Sequence, residues 1–385
     1  MKPLAHVATQ LPPQGIRVIM DLAWQVGDCI HLEVGEPNFT TPAHIVEAAM
    51  EAGRTGFHKY TPNAGIGDLR QAVAAKMAWY NGMEVTPAQV CVHPGAVAGI
   101  ASVMMALIDP GDEVLVPGLS WPNGEMNLSL MHGVPVHYTL ARENGFLPDL
   151  TELERLVTPR TKALLINSPG NPTGAVFPEP LVAELAAFCR RHDLWLISDE
   201  IYEQIVFDAP HVSPGRFAPE RTITISGLSK AYAMTGWRLG YSVSPPEVAA
   251  VIVKLQEPLF SCTNGLAQKA AVAALTGSQD CVAEMRQAYQ TRRDLAVSIL
   301  REHGLYRYTP QGAFYIMVDV SAAGSDSVAV AKRILQEERV AVAPGEAFGR
   351  NGVGLVRISL ANSEANLREG LERICRFLSR QVVTA

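Results

Sequence analysis

Lys230 lies in a run of small and hydroxyl-bearing residues, Ser226-Gly-Leu-Ser-Lys-Ala-Tyr-Ala-Met-Thr-Gly-Trp-Arg-Leu-Gly240, with Arg238 eight positions further on. The apolar stretch Thr222–Ser226 before it predicts a buried strand, so the lysine falls where a strand ends. An amine that is partly desolvated there, near a second cation, has a lowered pKa and can attack a carbonyl to form a Schiff base. A lone lysine is ordinarily a solvated surface charge, so the other parts of a site have to be found. Asp199 ends a second apolar run, Leu194–Ser198, and Glu200 beside it reads as a helix cap. Arg357 lies inside a third, Gly354–Leu360, where a charge is costly unless paired; a structural salt bridge is its default explanation. Pro94-Gly95 joins an expected strand, Gln89–His93, to an expected helix, Ala96–Ile108. The free amides that open such a helix attract anions, which makes Gly95, Ala96 and Val97 candidate main-chain donors to a phosphate.

The fifteen residues around Lys230 resemble the lysine signature of the class I and II aminotransferases, which carry pyridoxal 5'-phosphate (PLP) on a lysine. Gly227, Leu228, Ser229, Lys230, Gly236, Arg238 and Gly240 all fit. Further matches run along almost the whole chain in the expected order: Gly35-Glu-Pro, Lys59-Tyr-Thr-Pro62, Trp121 in Gly-Leu-Ser-Trp-Pro-Asn, Asn171-Pro-Thr-Gly174, Asp199-Glu-Ile-Tyr202 and Val356-Arg-Ile-Ser359.

The resemblance implies a role for each. Gly35 lies beside the substrate carboxylate, and Arg357 clamps that carboxylate with two parallel hydrogen bonds, a task suited to a planar guanidinium. Trp121 stacks on the pyridine ring. The Asn171 amide and the Tyr202 hydroxyl reach the phenolic oxygen of PLP, Asn171 also meeting the substrate carboxylate. Asp199 keeps the ring nitrogen protonated, the state in which the ring is an electron sink. Arg238 anchors the phosphate with the amides of residues 95 to 97 and with Tyr60, which reaches across from the other subunit of a homodimer. Two departures bear on that phosphate. Gly227 stands where many relatives have a phosphate-binding serine, with Ser226 or Ser229 as substitutes or a looser anchor as the alternative, and residues 95 to 97 lack the hydroxyl that many relatives place there.

The implied activity is transfer of the amino group of an L-amino acid to a 2-oxo acid, by family analogy 2-oxoglutarate, with Lys230 also acting as general base and acid. Elimination or decarboxylation on the same scaffold is the nearest rival. A non-catalytic PLP-sensing regulator is a rival of another class, but it needs an effector module, and no helix-turn-helix or basic region is left over. Sugar aminotransferases are disfavoured because Arg357 would have no carboxylate to bind. Arg17 either reaches a substrate's side-chain carboxylate or is an exposed helix charge; the donor stays open among aspartate, alanine and aromatic amino acids.

These residues need rigid elements to converge. Strands alternate with helices from about 41 to 280, predicting an α/β fold whose mostly parallel sheet is flanked by helices and binds its ligand beyond the C-terminal strand ends. Helices are expected from Ile16 to Val26, from a Thr41-Pro42 cap to about Ala52, from Ile66 to Tyr80, from Pro178 to His192 and from Cys281 to His303. An extended run is expected over His31–Asn38, and strands over Glu113–Pro117, Gly312–Val318 and Gly354–Leu360. The division is an arm with part of a small domain (1–40), a large PLP-binding domain (41–280) and a smaller α+β domain (281–385).

With 385 residues, 48% of them hydrophobic, the chain can bury a large core, and its net charge of −6 without a long basic run argues against nucleic acid as a partner. Pro3, Pro12, Pro13 and Gly15 break the start, and neither a signal-peptide core nor a membrane-spanning run is evident, so a cytoplasmic protein acting on small molecules is expected. Six scattered cysteines read as reduced thiols, and ten histidines without a His-Glu-x-x-His pattern leave metal catalysis without ligands.

Overall fold

The computed structural model describes residues 2–11 and 15–382; the breaks expected at Pro12 and Pro13 lie outside the described residues. Twelve strands are described: β1 (Ile30–His31), β2 (Val90–His93), β3 (Glu113–Pro117), β4 (Val134–Tyr138), β5 (Thr161–Asn167), β6 (Trp195–Asp199), β7 (Thr222–Gly227), β8 (Gly240–Val243), β9 (Tyr315–Asp319), β10 (Val340–Ala341), β11 (Ala343–Pro344) and β12 (Leu355–Ser359). Seven form one sheet in the order β2-β8-β7-β6-β5-β3-β4, and only β8 runs against its neighbours. The inner strands β3 and β8 are buried along their length, and β7 up to its last residue, because helices cover both faces, as their continuous apolar runs require.

Register brings the chemistry to one edge. Asn167 is paired with Asp199, Asp199 with Ile225, and Gly240 with both Gly227 and His93. The turns after β2, β5, β6 and β7 therefore open side by side, carrying Gly95, Asn171, Tyr202 and Lys230.

A second sheet, β11-β12-β9, is antiparallel. Val356 and Ile358 of β12 point into an apolar core with Ile316 and Val318 of β9. Alternation sends Arg357 to the other face, opposite Met317. The helices Asp280–Glu302, Ser327–Glu338 and Glu364–Val382 pack around this sheet. The N-terminal segment joins it: β1 pairs in parallel with β10, and the Ser359 amide donates to the Leu32 carbonyl. Glu33 to Glu36 is thereby laid between the two sheets.

Most expected elements are present within one or two residues. The extended run expected over His31–Asn38 has ladder pairing only at His31, the second residue of β1, because beyond it the chain leaves the small sheet for the cleft. Pro42 is the cap residue of the helix Ala43–Arg54 and not its first turn; the Thr41 hydroxyl donates instead to the Ala233 carbonyl at 2.7 Å. Glu200 is not a helix cap: it turns into the core, accepting hydrogen bonds from Ser213 and, at 2.8 Å, sharing one with His211. Among the described residues no helix is long and apolar enough to cross a membrane.

Candidate active site

A cavity of about 350 Å³ opens where the edge of the large sheet faces the small one. Gly35, Ala96, Val97, Trp121, Asn171, Asp199, Tyr202, Lys230, Arg238 and Arg357 all line it. Gly95 lies just behind, and Tyr60 does not reach it: that side chain is 90% exposed on its own surface. Arg17 is also exposed, on the outer side of the helix Gly15–Val26, while its neighbour Ile16 faces inward.

Lys230 follows β7 by three residues and donates to the Gly35 carbonyl at 2.8 Å. Burial, then the nearby Arg357, pull its pKa from the usual range down to about 8. Asp199, at the end of β6, accepts from the Ile201 amide at 3.2 Å and has no cation within ion-pair reach among the described residues. Burial pushes its carboxyl up to about 7 in spite of that amide.

The loop after β5 is set by Asn167, whose side chain donates to the Asp199 carbonyl at 3.1 Å and accepts from the Asn171 amide at 2.8 Å. It is pinned to the other sheet where the Gly312 amide meets the Gly174 carbonyl at 2.9 Å. Asn171 can then accept from Arg357 at 3.0 Å, and Arg357 donates also to the Glu33 carbonyl. The guanidinium lies 4.3 Å from the Tyr315 ring and 4.7 Å from that of Phe348. Its Nε has no partner among the described residues.

At the other end of the cavity, Gly95 caps the helix Ala96–Leu107 with φ = +94°, and a Cβ there would fall 2.4 Å from the Arg238 guanidinium. A Cβ on Gly240 would fall 2.4 Å from the Ala96 amide nitrogen. Two glycines thus let a strand, a helix N-terminus and an arginine crowd one point. The Ala96 and Val97 amides have no acceptor among the described residues.

Gly227 belongs to the same packing. A side chain there would meet the Gly240 Cα at 2.9 Å and the Leu239 carbonyl at 3.0 Å, so β7 and β8 leave no room for one. Ser226 does not substitute, because its hydroxyl is turned away to Glu203 at 2.6 Å; Ser229 lines the cavity. Glu203 also meets Lys76 and Asn81 and lies close to Glu200 and His211, a buried acidic group that Lys76 neutralises in part.

Sequence reasoning missed Tyr315, Asn167, Glu36 and Thr235, which also line the cavity. The Tyr315 and Tyr202 hydroxyls are 2.7 Å apart, and burial raises the pKa of both phenols, so they stay neutral. The period-two pattern of β9 could have placed Tyr315 on the face of Arg357; no signal foretold the bond between Thr235 and Glu36.

The family model for aminotransferase class I and II matches residues 27–374. The chain belongs to the class I and II aminotransferases. Aspartate/prephenate aminotransferase of Thermus thermophilus is 43% identical over 383 residues, 99% of this chain and 97% of that one. Aromatic-amino-acid aminotransferase 2 of Thermococcus litoralis is 39% identical over 377 residues, 96% of each. Among solved structures, an aspartate aminotransferase double mutant of Thermus thermophilus superposes with a TM-score of 0.95 at 41% identity, covering 98% of this chain and 100% of that one. The aminotransferase thus has the fold type I architecture expected for PLP enzymes, and its relatives' names span acidic and aromatic amino acids.

Proposed function

We propose that this aminotransferase binds PLP in the cavity described above and moves the amino group of an L-amino acid to a 2-oxo acid, 2-oxoglutarate being the acceptor that the resemblance implies. The observation that carries the reading is Lys230: an amine with a depressed pKa, facing one cavity with Asp199 and Arg238. The surroundings fit the cofactor. An uncompensated buried carboxylate at Asp199 suits a protonated ring nitrogen, and two free amides beside Arg238 suit a phosphate. When bound, PLP supplies an electron sink for the charge left when the substrate's α-carbon loses its proton.

Each residue then has a task. Lys230 would hold the cofactor through its Nζ, and the same amine would serve as general base and acid for the proton that leaves the substrate's α-carbon. Asp199 would keep the ring nitrogen protonated, Tyr202 and Asn171 would donate to the phenolic oxygen, and Trp121 would stack on the ring. Arg357, with Asn171 and Gly35 beside it, grips the substrate carboxylate. Gly95, Ala96, Val97 and Arg238 hold the phosphate. Tyr60, exposed and outside its own cavity, fits a role in the site of a second subunit, and the protein acts as a homodimer. The small domain comprises 281–385 with the arm 1–40, which the pairing of β1 with β10 supports, and 41–280 holds the cofactor. Six free thiols suit a cytoplasmic setting.

The test is a panel of amino donors against 2-oxoglutarate with Lys230→Ala as control. Nitrogen transfer in equal amounts to donor consumed, lost in the variant, is expected. Pyruvate and ammonia without an acceptor would indicate a lyase, and full activity in Lys230→Ala would remove that residue from the mechanism.

A further inference from the structure

We infer that the cavity takes an amino donor with an apolar side chain, and that Ile16, Met20 and Val97 set that preference. The inference rests on the reading above, since it uses Arg357 as the anchor of the α-carboxylate. A substrate held there presents its side chain to the remaining wall, and that wall is apolar: Ile16 and Met20 from the helix Gly15–Val26, Val97 and Ile100 from the first turns of the helix Ala96–Leu107, and Trp121. Ile16 and Met20 are four residues apart, so one helix face presents both. Together with Trp121 they pack in the same cluster as Phe348, whose ring lies 4.7 Å from the Arg357 guanidinium. The apolar surface therefore begins beside the anchor and continues outward to the arm helix.

The charges point the same way. Among the described lining residues the cations are Lys230, Arg238 and Arg357. Lys230 is committed to Gly35, Arg357 to Asn171 and Glu33, and Arg238 stands at the helix N-terminus. The second carboxylate of aspartate or glutamate would be stripped of water against aliphatic carbon, with Glu36 on the same cavity to repel it. A leucine, methionine or phenylalanine side chain loses only unfavourable hydration there.

The test is single-turnover stopped-flow on the PLP-loaded protein, following cofactor absorbance after mixing with one amino acid at a time. Leucine, methionine and phenylalanine are expected to react about tenfold or more faster than aspartate and glutamate at equal subsaturating concentration. Met20→Lys, which places an ammonium on the apolar wall at nearly unchanged length, is expected to shrink that ratio. Calorimetry on the unaltered protein reads the preference without turnover: 4-methylpentanoate is expected to bind more tightly than succinate. Faster reaction with aspartate and tighter succinate binding would overturn the preference while leaving an aminotransferase. Failure of every amino acid to change the absorbance would overturn the aminotransferase reading itself, and the preference with it.

Discussion

Arg357, from the small sheet, donates to the side-chain oxygen of Asn171, from a loop of the large one, at 3.0 Å. The pair fixes the distance between the two halves of the cleft at the point where the substrate carboxylate is proposed to bind. Arg357→Ala is expected to raise KM for amino acids by about 10- to 100-fold, the value of charged hydrogen bonds. Arg357→Lys should recover little of it, because an ammonium cannot reproduce the fork. Steady-state kinetics on both variants checks this; an unchanged KM in Arg357→Ala would place the carboxylate elsewhere.

Tyr202 and Tyr315 share a buried hydrogen bond at 2.7 Å. Single and double replacements by phenylalanine should show a coupling of about 0.5–1.5 kcal/mol in thermal or urea unfolding of the PLP-free protein. If the effects simply add, the two hydroxyls act independently.

The depressed pKa of Lys230 gives a pH dependence of definite sign. With a pKa of about 8, roughly a tenth of the amine is neutral at pH 7, against roughly 0.03% for an ordinary lysine. The rate at which PLP-free protein recombines with PLP should therefore climb through about pH 8 and level off above it. The same burial acts on stability. Folding disfavours charged Lys230, a cost that is full below about pH 8 and fades as pH rises from there toward 10.5; it disfavours charged Asp199, a cost that grows as pH rises from 3.8 to about 7 and is full above it. Recombination rates across pH 6 to 10 decide it; a climb centred near pH 10.5 would mean that Lys230 is solvated.

Gly227 is a packing requirement. Gly227→Ser would push a side chain into the backbone of Leu239 and Gly240, costing about 1–3 kcal/mol of stability. Chemical unfolding of the PLP-free variant measures this. Greater stability together with tighter PLP binding would show instead that the serine finds room and a phosphate.

Much of the site was legible because its chemistry sits at strand ends. Lys230, Asp199 and Asn171 each follow an apolar run, and a strand that stops in a polar residue leaves that residue at the sheet edge. Arg357 was legible by contrast, as a charge amid Val356 and Ile358. Tyr315 and the inward turn of Ile16 and Met20 were not: each depends on how the arm and the small sheet approach the large one, which no local pattern encodes, whereas Asn167 ends an apolar strand in the same way as Asp199 and was passed over. The deflection of Glu200 was hidden for the same reason, since its partners Ser213 and His211 arrive from a later loop.

One amine, that of Lys230, is proposed to carry the cofactor. Incubating the protein with PLP, reducing with borohydride and mapping the peptides tests it most directly. A single pyridoxyl mark at Lys230, absent in Lys230→Ala, is the expected result; a mark on another lysine, or none at all, would contradict it.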